Sequence, residues 1–529
     1  MSIENNLELL TIKEASGWAS NYFGRNITPS NISYLIQYGR VKKIGKNGGT
    51  FVNKRDLIQY YESHNYREIE WTQKLGEDLN WHLSFDNLKE SERTKHVHRL
   101  HPYKGKFIPQ LVQYFLDDHI DEFKKEVYFK KGDIVLDPFG GSGTTMIQAN
   151  ELGIHAIGID ISPFNSLISN VKVYHYDLGK VSDEISDITS KLASFVAKSG
   201  ITTFQSKLDE ALSNFNKTYF PSPDYKVEVI NGKINEAEYG QSKAKEFEVT
   251  YKDLVTLYNI NLEQKENLNF LGKWYFDSMR QEIYFVRDLI ENTKDESIKN
   301  VLRIILSRTV RSCRATTHFD LATLKDPVSS TYYCHKHGKI CRPLFSIQSW
   351  WRTYCNSTIK RLAEFDKLRT DTLQLCLTGD SKKIDIYRAL REKKPSLAKL
   401  LKEQGIRGIF SSPPYVGLID YHDQHAYAYD IFNFKRNDDL EIGKMSLGQG
   451  TKARSLYTDA VSAALINCSR FLVKDYDVFL VANDKYNLYP AIVQKSAMRI
   501  IDQYKRPVLD RTERDKGAYS ETIFHCKRV

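Results

Sequence analysis

Gly132-Asp-Ile-Val-Leu-Asp137-Pro-Phe-Gly-Gly-Ser-Gly-Thr-Thr145 is the stretch on which the fold turns. Ile134, Val135 and Leu136 make a short apolar run bounded by Gly132 and a turn, the pattern of a strand buried on both faces of a parallel sheet. Gly140, Gly141 and Gly143 permit a tight turn and close backbone approach, and Thr144 and Thr145 open a helix running through Met146 to Leu152. A second strand, His155-Ala-Ile-Gly-Ile-Asp160, ends in a carboxylate 23 residues after Asp137. Strand, glycine turn, helix and acid-tipped strand make a Rossmann-like unit, in which the turn meets a nucleoside cofactor and the acid binds ribose hydroxyls. The expected fold class is therefore α/β.

A glycine-rich turn alone also serves dinucleotide and nucleoside triphosphate sites. Two departures separate this one: it opens on Asp-Pro-Phe in place of Gly-x-Gly, and no Lys-Ser/Thr follows the glycines. A carboxylate at Asp137 repels a pyrophosphate and pairs with the ammonium of a methionyl group, so the expected cofactor is S-adenosylmethionine.

The sheet pattern returns far downstream. Leu375-Cys-Leu-Thr-Gly-Asp380 reads as a strand ending in an acid, and Ile406-Arg-Gly-Ile-Phe410 as a strand leading into Ser411-Ser-Pro-Pro-Tyr415. Val478 to Lys485 reads as a further strand, and Arg506 to Glu521 with Thr522-Ile-Phe-His-Cys526 as a closing hairpin. A Ser-Pro-Pro-Tyr loop at a strand tip suits one reaction. The exocyclic amine of cytosine or adenine is a poor nucleophile, because its lone pair is delocalised into the ring. Ser412 and the Pro413 carbonyl are candidate acceptors for its hydrogens, favouring a pyramidal nitrogen that attacks a sulfonium methyl directly. Pro413 and Pro414 fix the loop, and Tyr415 stacks on a base extruded from the duplex. Methylation at cytosine C5 would require a nucleophilic cysteine, and no Pro-Cys stands at this position.

On these residues the chain resembles the amino-group DNA methyltransferases, over roughly 95–185 and 375–529, with the cofactor motif ahead of the catalytic one. Asp137 to Thr145 is similar to that family's cofactor motif, Asp-Pro-Phe-x-Gly-Ser-Gly-Thr-Thr. His101-Pro-Tyr-Lys-Gly-Lys-Phe107 is similar to the segment that helps hold the methionine end, and for His101 plain packing stands beside a cofactor contact. The resemblance implies a Rossmann-like class I methyltransferase sheet. It also implies cofactor contacts from His101, Tyr103, Lys106, Asp137, Pro138, Phe139, Gly141, Ser142, Gly143, Thr144, Thr145 and Asp160. Asp380 takes the place of an acid near the adenine, with helix capping as its alternative. Catalysis falls to Ser412, Pro413, Pro414 and Tyr415. Ser-Pro-Pro-Tyr is more typical of cytosine-N4 enzymes, whereas adenine-N6 enzymes more often carry Asp or Asn before Pro-Pro, so the resemblance favours cytosine N4 with adenine N6 as runner-up. An RNA methyltransferase and a non-catalytic DNA-binding regulator are the other readings. Double-stranded DNA is the implied partner, in a restriction-modification or related defence setting, with a cognate restriction endonuclease as a further candidate.

Four regions divide the 529 residues: 1–65, 66–185, 186–375 and 376–529. In the first, Thr11 caps one helix, and Thr28, Pro29 and Gly39 mark the ends of a second. Val41 to Val52 reads as two short strands about an Asn-Gly-Gly turn, and Lys54 to Tyr61 as a third helix. This order resembles the MerR and excisionase group of winged helix-turn-helix domains. It implies that the second helix enters the major groove and that Lys42, Lys43 and Lys46 meet phosphates; a small helical cap is the alternative.

The third region is too long for a loop, so a mostly helical inserted domain is expected, and with the chain given ending just after its last strand, that insert is the expected reader of DNA sequence. It holds Lys273-Trp-Tyr-Phe276, an amphipathic stretch from Met279 to Ser307, and Arg308-Thr-Val-Arg-Ser-Cys-Arg314. With Trp350, Trp351 and Arg352 the arginines suit a phosphate-tracking groove, core packing being the alternative for the tryptophans. Cys313, Cys334, His337 and Cys341 have the ligand types of a structural zinc site, with Cys-x2-His-x3-Cys as its compact half; zinc and buried thiols both stand. Seven cysteines, an odd number, fit reduced thiols better than a disulfide framework. A net charge of +10 suits a polyanionic partner without requiring one. The start has no basic region followed by an apolar stretch, and no apolar run approaches a membrane span, so a cytoplasmic protein with no membrane partner is expected.

Overall fold

Seven strands form the central sheet: β1 (Ile134–Asp137), β2 (His155–Asp160), β3 (Gln374–Thr378), β4 (Ile406–Ser411), β5 (Leu472–Ala482), β6 (Met498–Pro507) and β7 (Ser520–Arg528). Their spatial order is β6-β7-β5-β4-β1-β2-β3. The structure is a computed structural model that describes the chain except for residues 1–8, 25–26, 38–40, 46–49, 86–87, 89, 265–268, 319, 321–323 and 509–516.

β1 pairs in parallel with β2 on one side, Leu136 opposite Ile157, and with β4 on the other, Leu136 opposite Ile409. β3 continues the parallel set beyond β2, and β5 beyond β4. β7 runs antiparallel to both its neighbours, β5 and β6. Strand order thus reverses between β1 and β4, and a crevice opens at the carboxyl ends of strands at such a switch. Alternation along the strands divides the core. Val135, Ala156, Phe410, Phe479 and Val481 face one apolar layer, while Ile134, Leu136, Ile157, Ile409, Val478 and Leu480 face the other. Gly408 is a steric requirement, since a Cβ there would lie 2.1 Å from the Asp477 carbonyl oxygen on the paired strand β5.

The helices between β2 and β3, which span the region 186–375 expected as an insert, pack against one face of the sheet. Leu192, Phe204, Leu302, Trp351 and Phe365 belong to the same apolar layer as Val135 and Phe479. Helix Leu178–Ala197 runs across the boundary expected at 185. Trp274, Tyr275 and Phe276 are buried in this layer, as is Trp351, whose Nε1 donates to Thr189 Oγ1 at 2.9 Å. The amphipathic stretch from Met279 is two helices, Asp277–Glu291 and Glu296–Ser312, because Asp295 caps the second through the N–H groups of Ser297 and Ile298.

At the N-terminus, helices Ile12–Tyr22, Pro29–Gln37 and Lys54–Leu75 surround a small core of Ala15, Ile32, Val52 and Leu57. Thr11 caps the first in a reciprocal capping box with Glu14. Strand Phe51–Asn53 pairs antiparallel with Leu9–Thr11, and only one bridge, Ile44 to Phe51, joins it to the expected wing among the described residues. Gly39, Lys46 and the Asn-Gly-Gly turn lie outside the described residues. The third helix continues well past Tyr61 and through the boundary expected at 65. Among the described residues, no helix is long and apolar enough to cross a membrane.

Candidate active site

The β1–β4 switch point is closed by one carboxylate. Asp137, at the tip of β1 and 3% exposed, accepts hydrogen bonds from the Ser411 hydroxyl at the tip of β4, from Thr145 Oγ1 at 2.8 Å and from the Phe139 N–H at 3.1 Å. Burial pushes its pKa up to about 6, against the pull of these three donors. Gly143 takes a left-handed conformation, φ +76°, and starts helix Thr144–Glu151. The loop is laced to the next strand: Gly140 N–H donates to the Ile159 carbonyl, and Gly141 N–H to Asp160 Oδ2 at 2.9 Å. Asp160 also accepts from Ser162 N–H and Asn165 Nδ2, and burial raises it to about 7.

These elements line an open cleft at the carboxyl ends of β1 and β4. Its walls include Tyr103, Lys106, Asp137, Pro138, Phe139, Gly141, Ser142, Thr144, Asp160, Asp380, Ser412 and Pro414. Three residues expected to touch a cofactor stand behind the wall. Thr145 spends its hydroxyl on Asp137, and Gly143 packs against Ser169. His101 is fully buried among Phe164, His425 and Tyr427, its Nδ1 3.0 Å from the Pro102 carbonyl, and burial with the nearby His425 and Arg311 holds its basicity well below the ordinary histidine range. His101 is therefore placed behind the cleft wall, among the core rings. Tyr103 lies over Gly141, where a Cβ would come within 3.0 Å of its hydroxyl.

Of the loop expected to be catalytic, Ser412 and Pro414 line the cleft, and Pro413 and Tyr415 do not. The Tyr415 hydroxyl donates to Glu521 Oε1 of β7 at 2.7 Å, and Glu521 Oε2 in turn receives Arg506 at 2.9 Å. Ser412 thus sits at the end of the strand whose preceding residue holds Asp137.

A protein similar to this chain over its whole length decides the family: the type II methyltransferase M.MjaII of Methanocaldococcus jannaschii is 46% identical over 532 residues, spanning 100% of this chain and 98% of that protein. The chain belongs to the type II DNA methyltransferases. A family model described as DNA methylase, of the N6/N4 group, matches residues 20–170. Shorter matches are to the type II methyltransferases M.MvaI of Kocuria varians, 32% identical over 25% of this chain and 27% of that one, and M.BsoBI of Geobacillus stearothermophilus, 36% identical over 19% and 18%.

Membership of this methyltransferase family implies S-adenosylmethionine, and the donor set fits it. Asp137, Asp160, Asp380 and Glu441 bring four carboxylates to the cleft against the cation of Lys106, the balance for a ligand with net positive charge and hydroxyl and amine donors. Asp380 Oδ2 and Asn165 Oδ1 are buried acceptors that lack a hydrogen-bond donor from the protein. Phe139, Ile159, Ile161 and Ile442 supply apolar wall for a planar ring.

Several residues of this methyltransferase's site carry no local motif. Ser381 lines the cleft and donates to the Pro138 carbonyl, tying β3 to the glycine loop. Glu441 arrives on a loop and is held by the buried His422, whose Nδ1 faces Glu441 Oε1. Tyr421 closes the same wall, whereas Tyr427 and Tyr429 of the tyrosine-rich segment are core. Lys172, 1% exposed, donates to the Ser142 carbonyl at 2.7 Å from beneath the loop, and burial depresses its basicity strongly. The only sequence signal for these residues is their polarity inside apolar patterns.

Beside Lys106 lies a set of cations. Burial and the like charges of Arg99, Arg308 and Arg361 hold Lys106 down to about 8, and Arg311 and Arg314 act on Lys104. The Arg308 guanidinium stacks 4.1 Å above the Tyr354 ring. Of the zinc ligands expected, Cys334, His337 and Cys341 converge on a two-stranded ribbon, Tyr332–Cys334 and Lys339–Cys341. Cys313 ends helix Glu296–Ser312 in the core and is not part of that group; His318 takes the fourth place.

Proposed function

We propose that this enzyme methylates the N4 amine of cytosine in double-stranded DNA. The observation that carries the reading is Ser412-Pro-Pro-Tyr415 at the tip of β4, with Ser412 and Pro414 on the same cleft as Asp137 and Asp160. S-adenosylmethionine, when bound, supplies a methyl group on a positively charged sulfur. Tyr103, Asp137, Asp160, Asn165 and Asp380 would hold it, the acids by charge and the orphaned oxygens by accepting its donors. Ser412 Oγ and the Pro413 carbonyl accept the hydrogens of the target amine, drawing its lone pair out of the ring. The proton released goes from that amine towards these acceptors and on to solvent. Tyr415, held through Glu521, offers a face for the extruded base.

Duplex binding is the role read for Arg99, Lys104, Arg308, Arg311 and Arg361, whose charges act on one another around Lys104 and Lys106. The N-terminal helices are read as a winged helix-turn-helix adding a second DNA contact, and the helices of 186–375 as the source of sequence choice. A cognate restriction endonuclease sharing that recognition sequence is the partner this reading calls for. Nucleoside mass spectrometry of duplex DNA treated with the purified enzyme and S-adenosylmethionine tests the base assignment. N4-methylcytosine is expected; N6-methyladenine alone overturns it, and methylation of tRNA without DNA overturns the substrate class.

A further inference from the structure

We propose that His318, Cys334, His337 and Cys341 hold one structural zinc ion. Their ligand atoms all lie within 4.8 Å of one another. His337 Nδ1 is 3.4 Å from Cys341 Sγ and 3.6 Å from Cys334 Sγ, and His318 Nδ1 is 3.8 Å from Cys334 Sγ. A tetrahedral zinc with ordinary bond lengths of about 2.3 Å to sulfur and about 2.05 Å to nitrogen separates a sulfur from a nitrogen by about 3.6 Å. The side chains therefore stand close to the edges of that tetrahedron.

The backbone builds the site. Cys334 ends one strand of the ribbon, Cys341 ends the other, and His337 lies on the turn between them. That turn is closed by the N–H groups of His337 and Gly338 donating to the Cys334 carbonyl, with Gly338 at φ +62°. His318 comes from the segment that follows helix Glu296–Ser312, and its ring lies 4.5 Å from that of His337. Cys334 and Cys341 are 3% and 8% exposed, so the two sulfurs are shielded while the histidines reach the surface.

Two thiolates and two neutral imidazoles neutralise a divalent ion, and binding sends the two thiol protons to solvent. Four protein ligands leave no open position, the mark of a structural site. The ribbon is already fixed to the helical layer, since Asn216 bonds both the N–H and the carbonyl of Ile340, and Tyr333 donates to Glu236. The ion would add the segment after Ser312 to that frame. That segment carries Arg314 and follows directly on Arg308 and Arg311, so the metal would hold part of the cationic set in place.

The test uses the full-length enzyme. Purified from zinc-supplemented cells and dialysed against metal-free buffer, it should retain about one zinc per chain by mass spectrometry, and a strong chelator should lower its thermal midpoint reversibly. Cobalt exchanged into the site should give a thiolate-to-metal charge-transfer band and tetrahedral visible bands, a readout that needs no variant. Cys334→Ser and His318→Ala should lose the metal, and Cys313→Ser should keep it. Metal-free protein whose melting is unmoved by added zinc, a cobalt spectrum without a thiolate band, or loss of metal in Cys313→Ser would overturn the assignment. None of these readouts depends on which base is methylated.

Discussion

Ser411 and Asp137, 274 residues apart, meet at the tips of two adjacent parallel strands, the serine hydroxyl donating to the buried carboxylate. The bond joins the cofactor loop to the catalytic loop through a group whose ionisation is unfavourable where it sits.

That group makes the free enzyme and its complex respond oppositely to pH. Asp137 titrates at about 6 in the folded protein and near 3.8 when unfolded, so the folded form binds the extra proton. Stability is then greatest below about pH 4 on this account and falls by about 3 kcal/mol as pH rises through 6. Ionising Asp137 and Asp160, the latter near 7, makes the cleft more attractive to a cationic ligand. Calorimetric titration should show S-adenosylmethionine affinity rising by roughly tenfold or more between pH 5.5 and 7.5, while this term alone lowers the melting point of the free enzyme. Thr145→Val, which removes a donor from Asp137, should shift both changes to higher pH.

The Tyr415 hydroxyl donates to Glu521, and the proposed function assigns the ring to the extruded base. Tyr415→Phe should therefore cost less than about tenfold in single-turnover methyl transfer. Tyr415→Ala should cost about 5- to 150-fold, the equivalent of about 1–3 kcal/mol of base stacking. Cofactor affinity measured in parallel should change little in either variant, which separates a role at the base from one at the cofactor.

Two left-handed glycines offer a controlled comparison. Gly143, φ +76°, would place a Cβ 2.9 Å from Ser169 Oγ and 3.1 Å from its Cα, whereas Gly200, φ +69°, has nothing within 4 Å. Gly200→Ala should cost about 1–2 kcal/mol of backbone strain. Gly143→Ala should exceed that by about 1–3 kcal/mol through overpacking, read as the difference in denaturant midpoints.

The local parts of this site were legible and the long-range parts were not. Asp137 to Thr145 and Asp160 declare themselves because strand, turn and helix are written in neighbouring residues. Ser412 to Tyr415 does so because two prolines after a strand are rare. Glu441, Ser381 and Lys172 acquire their roles only when distant chain returns to the cleft, and no spacing encodes that return. His318 stands where Cys313 was expected for the same reason: Cys313 lies in a basic run in sequence, but it ends a helix whose terminus is buried in the core. The break at Asp295 was readable as a cap and was hidden by apolar periodicity that persists on both sides. The continuity of the 186–375 helices with the sheet's core was not legible, because an amphipathic stripe does not say which apolar layer will cover it.

The cations near Lys106 can be counted through salt. Removing one phosphate-binding side chain should reduce the slope of log affinity against log salt concentration by about 0.9. Arg308→Ala and Arg311→Ala should each show that reduction in duplex binding assays, with no change in S-adenosylmethionine affinity.

The placement of β4 beside β1 has a consequence during synthesis. β1 leaves the ribosome early, but the strand that covers its second edge follows 274 residues later, reckoned from Asp137 to Ser411. At about 5–20 residues per second, that edge waits roughly 15 to 55 s for its partner. Through that interval the nascent chain carries an apolar strand with open backbone groups, and the helices of residues 178–366 are what emerges meanwhile to shield one of its faces. Slowing translation within the long middle segment should therefore favour aggregation of the nascent enzyme.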